Sequence, residues 1–445
     1  MLGAIGRYFK FAELKTDFRS EVIGGVTTFM AMAYIIFVNP AIISRAGMDF
    51  GSAMSATCVS AAIATIIMGV YARYPIALAS GMGENAFFAY TVCLTLGIPW
   101  QTALGCVFIE GILFIILTVT RMREYLFDCI PVSLRYSVAC GIGMLIAFVG
   151  LNNAGLIVAH PATFVTLGDV LSPAPLLAMF GLLATGVLVV RRARGAILLG
   201  MLLTALAAVT FGMIKFQGVF SFPPSMAPTF LKMDIRGAFG MGMITVVMVF
   251  LFMDIFDTVG TLAGVGELGG FMRNGKMPRV GRAMLSDAIG TCVGAACGTP
   301  VVTSYVESAA GISSGARSGF ASVVTGMLFL AALFLAPLVK MIGGGYQLPS
   351  GNMLYPITAP AVITVGCMMM QPVARIDWKD YSDSIPAFLV ILIMPLTFSI
   401  ATGIAFGLIS YAGIKLLSGR GREVPWLVYL LAVIFILRFV YLKSL

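Results

Sequence analysis

Acidic side chains inside apolar stretches are the residues of this chain that could do chemistry. Glu307 lies in Gly298–Ser308, a stretch of small residues interrupted by a proline, and Asp254 and Asp257 lie three residues apart in another apolar run. A spacing of three places both aspartates on one face of a helix. A carboxylate at bilayer depth costs about 2.5–3.5 kcal/mol on insertion scales, so such an acid is a functional-site candidate. Held away from water, it is also easily protonated and can carry a proton.

A second interrupted stretch, Ala77–Tyr90, contains Glu84 and Asn85. The amide of Asn85 offers both a donor and an acceptor, and a carboxylate accepts two hydrogen bonds side by side. Ring faces for stacking are available from Phe87, Phe88, Phe252 and Phe256. These groups fit a flat, neutral ligand that carries adjacent N–H groups.

Structural interpretations of the same residues stay open. Either Asp254 or Asp257 could be only a hydrogen-bond anchor between helices, and Glu84 could be structural or face water. Each phenylalanine could face lipid or the core. Three further acids are predicted to lie near helix ends or in less informative places and receive no role: Glu110, Glu267 and Asp287.

The composition indicates that membrane helices must position these side chains. Of the 445 residues, 60% are hydrophobic and 11% are charged, whereas soluble domains average about 25% charged residues. The apolar residues form about 13 to 15 separate runs, many near the length of about 20 residues that spans a bilayer. We therefore predict an all-α polytopic membrane protein in contact with lipid.

Charge placement predicts the orientation in the membrane. Arginines and lysines gather in loops such as 191–194 and 273–282, while the loop 152–171 has none. The positive-inside rule then places the N-terminus and the basic loops in the cytoplasm, with the protein in the cytoplasmic membrane. The net charge of +9 is a property of these loops and predicts no nucleic-acid partner.

Enzyme chemistry lacks the residues it would need. The chain has one histidine, His160, in a polar loop, and its eight cysteines are scattered without metal-ligand spacing. Neither a nucleophile–base pair nor a metal site is predicted, and no cofactor is expected.

Glycine and proline interrupt the third apolar segment in each half of the chain. Short, interrupted apolar segments in matching places of two halves point to a transporter binding site. We predict inverted repeats at 1–214 and 239–445, each with a short extended piece at the membrane centre. A helix begins after each piece and directs its positive end toward the same point. A ligand held there could satisfy the exposed backbone groups.

Specific strings resemble the AzgA-like branch of the nucleobase–cation symporter-2 family along nearly the whole chain. These strings are Thr27–Phe29 with Met32–Pro40, Gly81–Gly83 with Asn85–Tyr90, Asp254–Gly260, and Thr303–Gly311 with Gly315 and Arg317. The resemblance implies a UraA-like fold of about fourteen transmembrane segments in two inverted repeats of about seven segments each. Segments 3 and 10 would each contain a short strand, with the substrate between them.

The resemblance also implies a division into domains and a quaternary structure. A core domain would comprise residues 1–125 (segments 1–4) and 217–345 (segments 8–11). A gate domain would comprise residues 126–216 (segments 5–7) and 346–445 (segments 12–14). The protein would form a homodimer.

The function implied by the resemblance is import of a purine base together with protons, by an elevator-like movement of core against gate. The base would be adenine, guanine or hypoxanthine. The residues that would bind it are Asn85, Phe87, Asp254, Asp257, Glu307 and Ser308. Protons, the only coupling ion expected, would be carried by Asp254, Asp257 and Glu307.

Within this set, Glu307 would hold the base, and we favour Asp257 for the pocket and Asp254 for support. Glu84 stands where the family pattern has an apolar residue, so the pocket edge would differ there. The alternative from another class is an anion exchanger or channel of the same architecture. Such a site would need a cation beside the two helix ends, where this chain places acids.

Overall fold

The protein is described by a computed structural model that covers residues 2–120, 131–216, 218–240, 242–272, 277–348 and 353–441. The described chain is mostly helical. Seven helices are long and apolar enough to cross a membrane: Phe18–Ala46, Phe50–Ala72, Trp100–Val119, Val132–Asn153, Pro173–Val190, Met243–Gly266 and Gly319–Gly343. The polytopic membrane fold predicted from the sequence is therefore confirmed.

Shorter elements complete the fold. The other helices of ten or more residues are Ala196–Thr210, Val280–Cys297, Ala359–Met368, Tyr381–Thr397, Ile400–Leu417 and Trp426–Tyr441. The last four occupy the region predicted to hold segments 12–14. In the described ranges, six short strands form antiparallel pairs: β1 (Leu78–Ser80) with β4 (Val302–Ser304), β2 (Ile157–His160) with β3 (Phe164–Leu167), and β5 (Tyr346–Gln347) with β6 (Met353–Leu354).

The same order of elements occurs in both halves: two long helices, a strand, a short helix and another long helix. In the first half these are Phe18–Ala46, Phe50–Ala72, β1, Met82–Ala86 and Trp100–Val119. In the second half they are Met243–Leu268, Val280–Cys297, β4, Ser308–Ser313 and Gly319–Ala332. Because β1 and β4 run antiparallel, the two repeats are inverted relative to each other.

The pair β1–β4 joins the two repeats at the centre of the protein. Ala79 lies opposite Thr303, and all six strand residues are buried. The N–H of Gly81 donates to the carbonyl of Val301 at 3.0 Å, and the N–H of Tyr305 donates to Ala77 at 2.9 Å. The two strands thus pair their backbone N–H and carbonyl groups with each other directly. The expectation that a ligand between them would satisfy their backbone groups is wrong, because an apolar interior favours complete pairing within the protein.

Threonine hydroxyls form hydrogen bonds with backbone groups on the outer edges of both strands, in the same way in each repeat. Thr65 donates to the carbonyl of Leu78 and accepts from its N–H, both at 2.8 Å. In the other repeat, Thr291 donates to the carbonyl of Val302 at 3.0 Å and accepts from its N–H at 3.2 Å. Each threonine belongs to the helix that precedes its strand. The matching contacts let extended backbone lie inside a membrane protein without unpaired groups.

Glu21 ties the first membrane helix to the loop before the Gly319–Ala332 helix. Its carboxylate is fully buried and accepts the backbone N–H of Arg317 at 2.9 Å and of Ser318 at 3.0 Å. It also accepts the hydroxyl of Thr16 at 2.8 Å. The first N–H groups of a helix have no partner within it, so Glu21 satisfies donors that would otherwise be buried and unpaired.

Replacing Glu21 by alanine is expected to lower the free energy of unfolding by about 2 kcal/mol, because two buried backbone donors lose their acceptor. Thermal unfolding of the detergent-purified protein measures the change. Glu13, which pairs with Lys10 at 2.9 Å on an exposed surface, is the control; its replacement by alanine is expected to change stability by less than about 0.5 kcal/mol. Equal losses in the two variants would contradict the assigned role of Glu21.

Candidate functional site

The candidate site lies where the paired strands end and two short helices begin. Gly81 precedes the helix Met82–Ala86, and Glu307 precedes the helix Ser308–Ser313. The N–H groups at a helix start are unpaired within the helix and carry a partial positive charge. Because the strands are joined, the two helix starts come from opposite repeats to one place, as the sequence predicted.

Glu307 is held at the edge of the site by a tyrosine of the first membrane helix. The hydroxyl of Tyr34 donates to Glu307 Oε1 at 2.8 Å, and Tyr34 itself is buried. Glu307 is half-buried, and the neighbouring Val306 side chain is 55% exposed. The carboxylate is therefore fixed in direction but remains accessible to a ligand.

The two aspartates of the i,i+3 pair lie in different surroundings. Asp257 is half-buried and lies near Glu307 and the hydroxyl of Thr303. Asp254 is fully buried and accepts hydrogen bonds from Thr258 and Thr291, each at 3.3 Å. The outer aspartate can thus meet a ligand, whereas the inner one contacts only protein.

Asn85 presents an unused donor. Its Oδ1 accepts the hydroxyl of Ser80 at 2.8 Å, while its buried Nδ2 has no partner among the described residues. The Ser80 hydroxyl lies 3.0 Å from that of Thr299, which accepts the amide of Asn39 at 2.8 Å. A buried donor left unpaired costs about 1–3 kcal/mol, so a ligand that accepts from Asn85 would regain that energy.

The remaining predicted binding residues lie in the walls of the site. Ser308 is fully buried, and its Oγ accepts the N–H of Ala77 at 3.0 Å, a contact between the repeats. Phe87 is buried and packs edge-on against Phe250 with ring centroids 4.9 Å apart. Phe88 is buried as well, and the side chain of Phe256 lies outside the described residues.

Sequence reasoning gave no role to two acids that lie deep behind the site. Asp287 is fully buried and accepts hydrogen bonds from Thr258 at 2.8 Å and Ser304 at 3.0 Å. Glu110 is also fully buried. The prediction that they lie near helix ends or in less informative places was wrong, because both are buried well inside helices. The missed signal was the presence of an ionisable residue within an apolar run, which marks a candidate wherever it lies.

Glu84 is not water-facing. Only 2% of the residue is exposed, and a Cβ added to Gly81 would meet its carboxylate and the methyl of Thr303. Glu84 therefore lies over the end of the strand pair. The side chain of Glu267 lies outside the described residues.

No cation balances these acids in the described part of the chain. The described ion pairs involve other residues, and Arg317 donates to the carbonyls of Ile312 at 2.6 Å and Ala316 at 2.8 Å. Two like charges about 4 Å apart repel by about 4 kcal/mol at an effective dielectric constant near 20. The site therefore favours protonated acids and a neutral ligand over an anion. The described residues also contain no group of three His, Cys, Asp or Glu suited to a metal ion.

The sequence is similar to a family model and to proteins named as permeases. Residues 19–406 match the model of the Permease family. The guanine/hypoxanthine permease PbuG of Bacillus subtilis (strain 168) is 44% identical over 448 residues, covering 98% of this chain and 99% of that protein. The adenine permease AdeP of Escherichia coli (strain K12) is 40% identical over 443 residues, covering 99% and 97%.

A solved structure shares the fold at low sequence identity. The transmembrane domain of the bicarbonate transporter BicA from a cyanobacterium superimposes with a TM-score of 0.62 at 15% identity. The match covers 86% of this chain and 96% of that domain. At this identity, the likeness concerns the fold alone.

Proposed function

The chain belongs to the Permease family, and from that premise we propose that it imports a purine nucleobase together with protons across the cytoplasmic membrane. The names of PbuG and AdeP support a purine as the substrate. They cover guanine, hypoxanthine and adenine, and the base is one of these three. The observation that carries the proposal is the accessible carboxylate of Glu307, fixed by Tyr34 beside Asp257.

The base is recognised by hydrogen bonds at the place where the two short helices of the opposite repeats begin. Glu307 accepts from adjacent N–H groups on the edge of the purine, and the free Nδ2 of Asn85 donates to a ring nitrogen or a carbonyl. Asp257 completes the polar contacts, and Asp254 supports it from behind through Thr258 and Thr303. Ser308 and Phe87 shape the walls of the pocket.

Protons are the coupling ion, and no cofactor takes part. With the base bound on the outer side, protonation neutralises an acid among Asp254, Asp257 and Glu307. Moving neutral groups through a low-dielectric interior avoids the penalty of moving an unpaired charge. The base and the proton then separate in the cytoplasm, where the N-terminus lies.

The movement is an elevator-like sliding of a core domain (1–125 and 217–345) against a gate domain (126–216 and 346–445), in a homodimer. Two observations support this division. The β1–β4 ladder binds the two core portions together. Polar contacts between core and gate include Arg45, which donates to Asn153 Oδ1 at 3.2 Å and stacks on the Tyr355 ring at 4.4 Å.

An anion exchanger of the same fold is the alternative, and the site argues against it. An anion requires a cation or several free donors, whereas acids stand at both helix starts. Arg317, the arginine next along the chain from Glu307, is engaged by carbonyls at the end of the Ser308–Ser313 helix.

Uptake by proteoliposomes tests the proposal. Purified protein is reconstituted with an alkaline interior, and entry of labelled adenine, guanine and hypoxanthine is measured with and without a protonophore. We expect one or more of the bases to accumulate and the accumulation to collapse when the proton gradient is removed. Bicarbonate or chloride flux without base uptake would support the alternative, and full uptake without a gradient would contradict proton coupling.

A further inference from the structure

Three acids from three different helices meet behind the substrate site: Glu110, Asp254 and Asp287. Each is fully buried. The carboxyl of Asp254 lies within hydrogen-bonding reach of both Glu110 and Asp287. We call these three residues the deep carboxyl cluster.

Glu110 differs from the other two members in its partners. Asp287 accepts hydrogen bonds from the hydroxyls of Thr258 and Ser304, and Asp254 lies 3.3 Å from the hydroxyls of Thr258 and Thr291. Both oxygens of Glu110 are buried, and neither accepts from a hydroxyl, an amide or a cation among the described residues. An ionised carboxylate only accepts, so Glu110 and Asp254 can form a hydrogen bond only when one of them holds a proton.

The charges that face Glu110 strengthen this requirement. The titratable groups that act on it, or on which it acts, are Asp254, Asp287, Glu84 and the thiol of Cys292. None of them is a cation. Three unprotonated acids cannot be held together in such surroundings, so the cluster must bind at least one proton.

A line of hydroxyl groups connects the cluster to the substrate site. The Thr258 hydroxyl lies 2.8 Å from Asp287 Oδ2 and 2.9 Å from the Thr303 hydroxyl. Asp257 lies near the Thr303 hydroxyl. A proton leaving Asp257 can therefore reach the cluster in short steps. At each step a hydroxyl accepts one hydrogen and passes its own to the next group, so the hydroxyls stay neutral, while Asp257 becomes ionised and an acid of the cluster becomes neutral.

We propose that the deep carboxyl cluster stores the coupling proton, exchanging it with Asp257 through Thr303 and Thr258, and that the stored proton is shared between Glu110 and Asp254. Asp287 accepts from the hydroxyls of Thr258 and Ser304, whereas the partner within reach of Glu110 among the described residues is the carboxyl of Asp254. Glu110 can therefore form a hydrogen bond only by sharing a proton with Asp254. The inference rests on the proposed proton-coupled import of a purine base and extends it to a residue outside the binding pocket.

The test compares Glu110→Gln with the unmodified protein in proteoliposomes, using labelled adenine and labelled hypoxanthine. Glutamine keeps the size of the side chain but cannot release a proton at this position. We expect gradient-driven accumulation to fall about tenfold, within the usual range of coupling between two sites. Its dependence on pH should flatten, while exchange of labelled for unlabelled base without a gradient continues. Proton uptake on base addition, followed with a pH-sensitive dye in weak buffer, should also be lost.

Two further variants distinguish coupling from structural damage. Glu21→Gln changes another fully buried carboxylate, whose partners are backbone N–H groups, and is expected to keep the pH dependence of the unmodified protein. Thr258→Val removes the central hydroxyl of the line and is expected to slow accumulation more than exchange. It serves as the test if the Glu110 variant does not fold.

The outcomes separate the inference from the function on which it depends. Accumulation by Glu110→Gln at the level and pH dependence of the unmodified protein would overturn the proton store and leave base import intact. A requirement for sodium in place of protons would also overturn it. If the unmodified protein transports no base, the proposed function itself fails.

Discussion

Glu307→Gln is expected to weaken binding of a purine base by about 100-fold, which corresponds to about 3 kcal/mol, the upper range for hydrogen bonds to a charged group. Glutamine replaces one carboxylate oxygen by an NH2 donor. That donor would face an N–H of the base, so one hydrogen bond is lost and two donors meet. Binding of adenine, guanine and hypoxanthine to the detergent-purified protein, measured by calorimetry, gives the affinity directly.

A graded control comes from Tyr34, whose hydroxyl donates to Glu307 Oε1 at 2.8 Å. Tyr34→Phe keeps the carboxylate of Glu307 but removes the hydrogen bond that orients it. We therefore expect a smaller loss of affinity, about tenfold, which corresponds to one hydrogen bond. The order of the two effects is the informative result. A loss from Tyr34→Phe that exceeds the loss from Glu307→Gln would mean that the base binds to the tyrosine rather than to the carboxylate.

The membrane fold could be predicted from the sequence because the features that determine it are local and recur along the chain. Runs of about 20 apolar residues have few alternatives to a membrane helix. The Gly- and Pro-rich interruptions at Ala77–Tyr90 and Gly298–Ser308 marked the places where the helix had to break. Direct pairing of β1 with β4 was less accessible to prediction, because it depends on contacts between residues more than two hundred positions apart.

The candidate site was only partly predictable for the same reason. Glu307 and Asn85 stood out because polar side chains coincided with the interruptions, and Asp257 stood out because it lies three residues from Asp254 in an apolar run. Glu110 was overlooked because no interruption surrounds it, and its significance arises only where its helix meets two others. Tyr34 was missed because nothing near it in the sequence indicates a partner 273 positions away.

Gly311→Val is expected to destabilise the protein by about 3 kcal/mol, in the upper part of the range for overpacking of a tight contact. Gly311 lies in the short helix that follows Glu307. A Cβ at this position would meet the carbonyl oxygen of Gly24 and the hydroxyl of Thr28. A backbone oxygen within a membrane helix cannot move aside as a flexible side chain can, so the two helices must separate.

Gly186 supplies the matched control for this substitution. It also lies inside a helix, Pro173–Val190, but a Cβ there would meet nothing within 4 Å. Gly186→Val is therefore expected to be nearly neutral, since valine exceeds glycine in helix propensity by only a few tenths of a kcal/mol.

Thermal unfolding in detergent measures both variants, and base uptake shows whether the Gly311 variant also loses transport. Loss is expected because separation of the helices displaces Glu307 from the point where the two repeats converge. Equal stability of the two variants would mean that the Gly24–Gly311 contact is loose, and the position of Glu307 would then need another explanation.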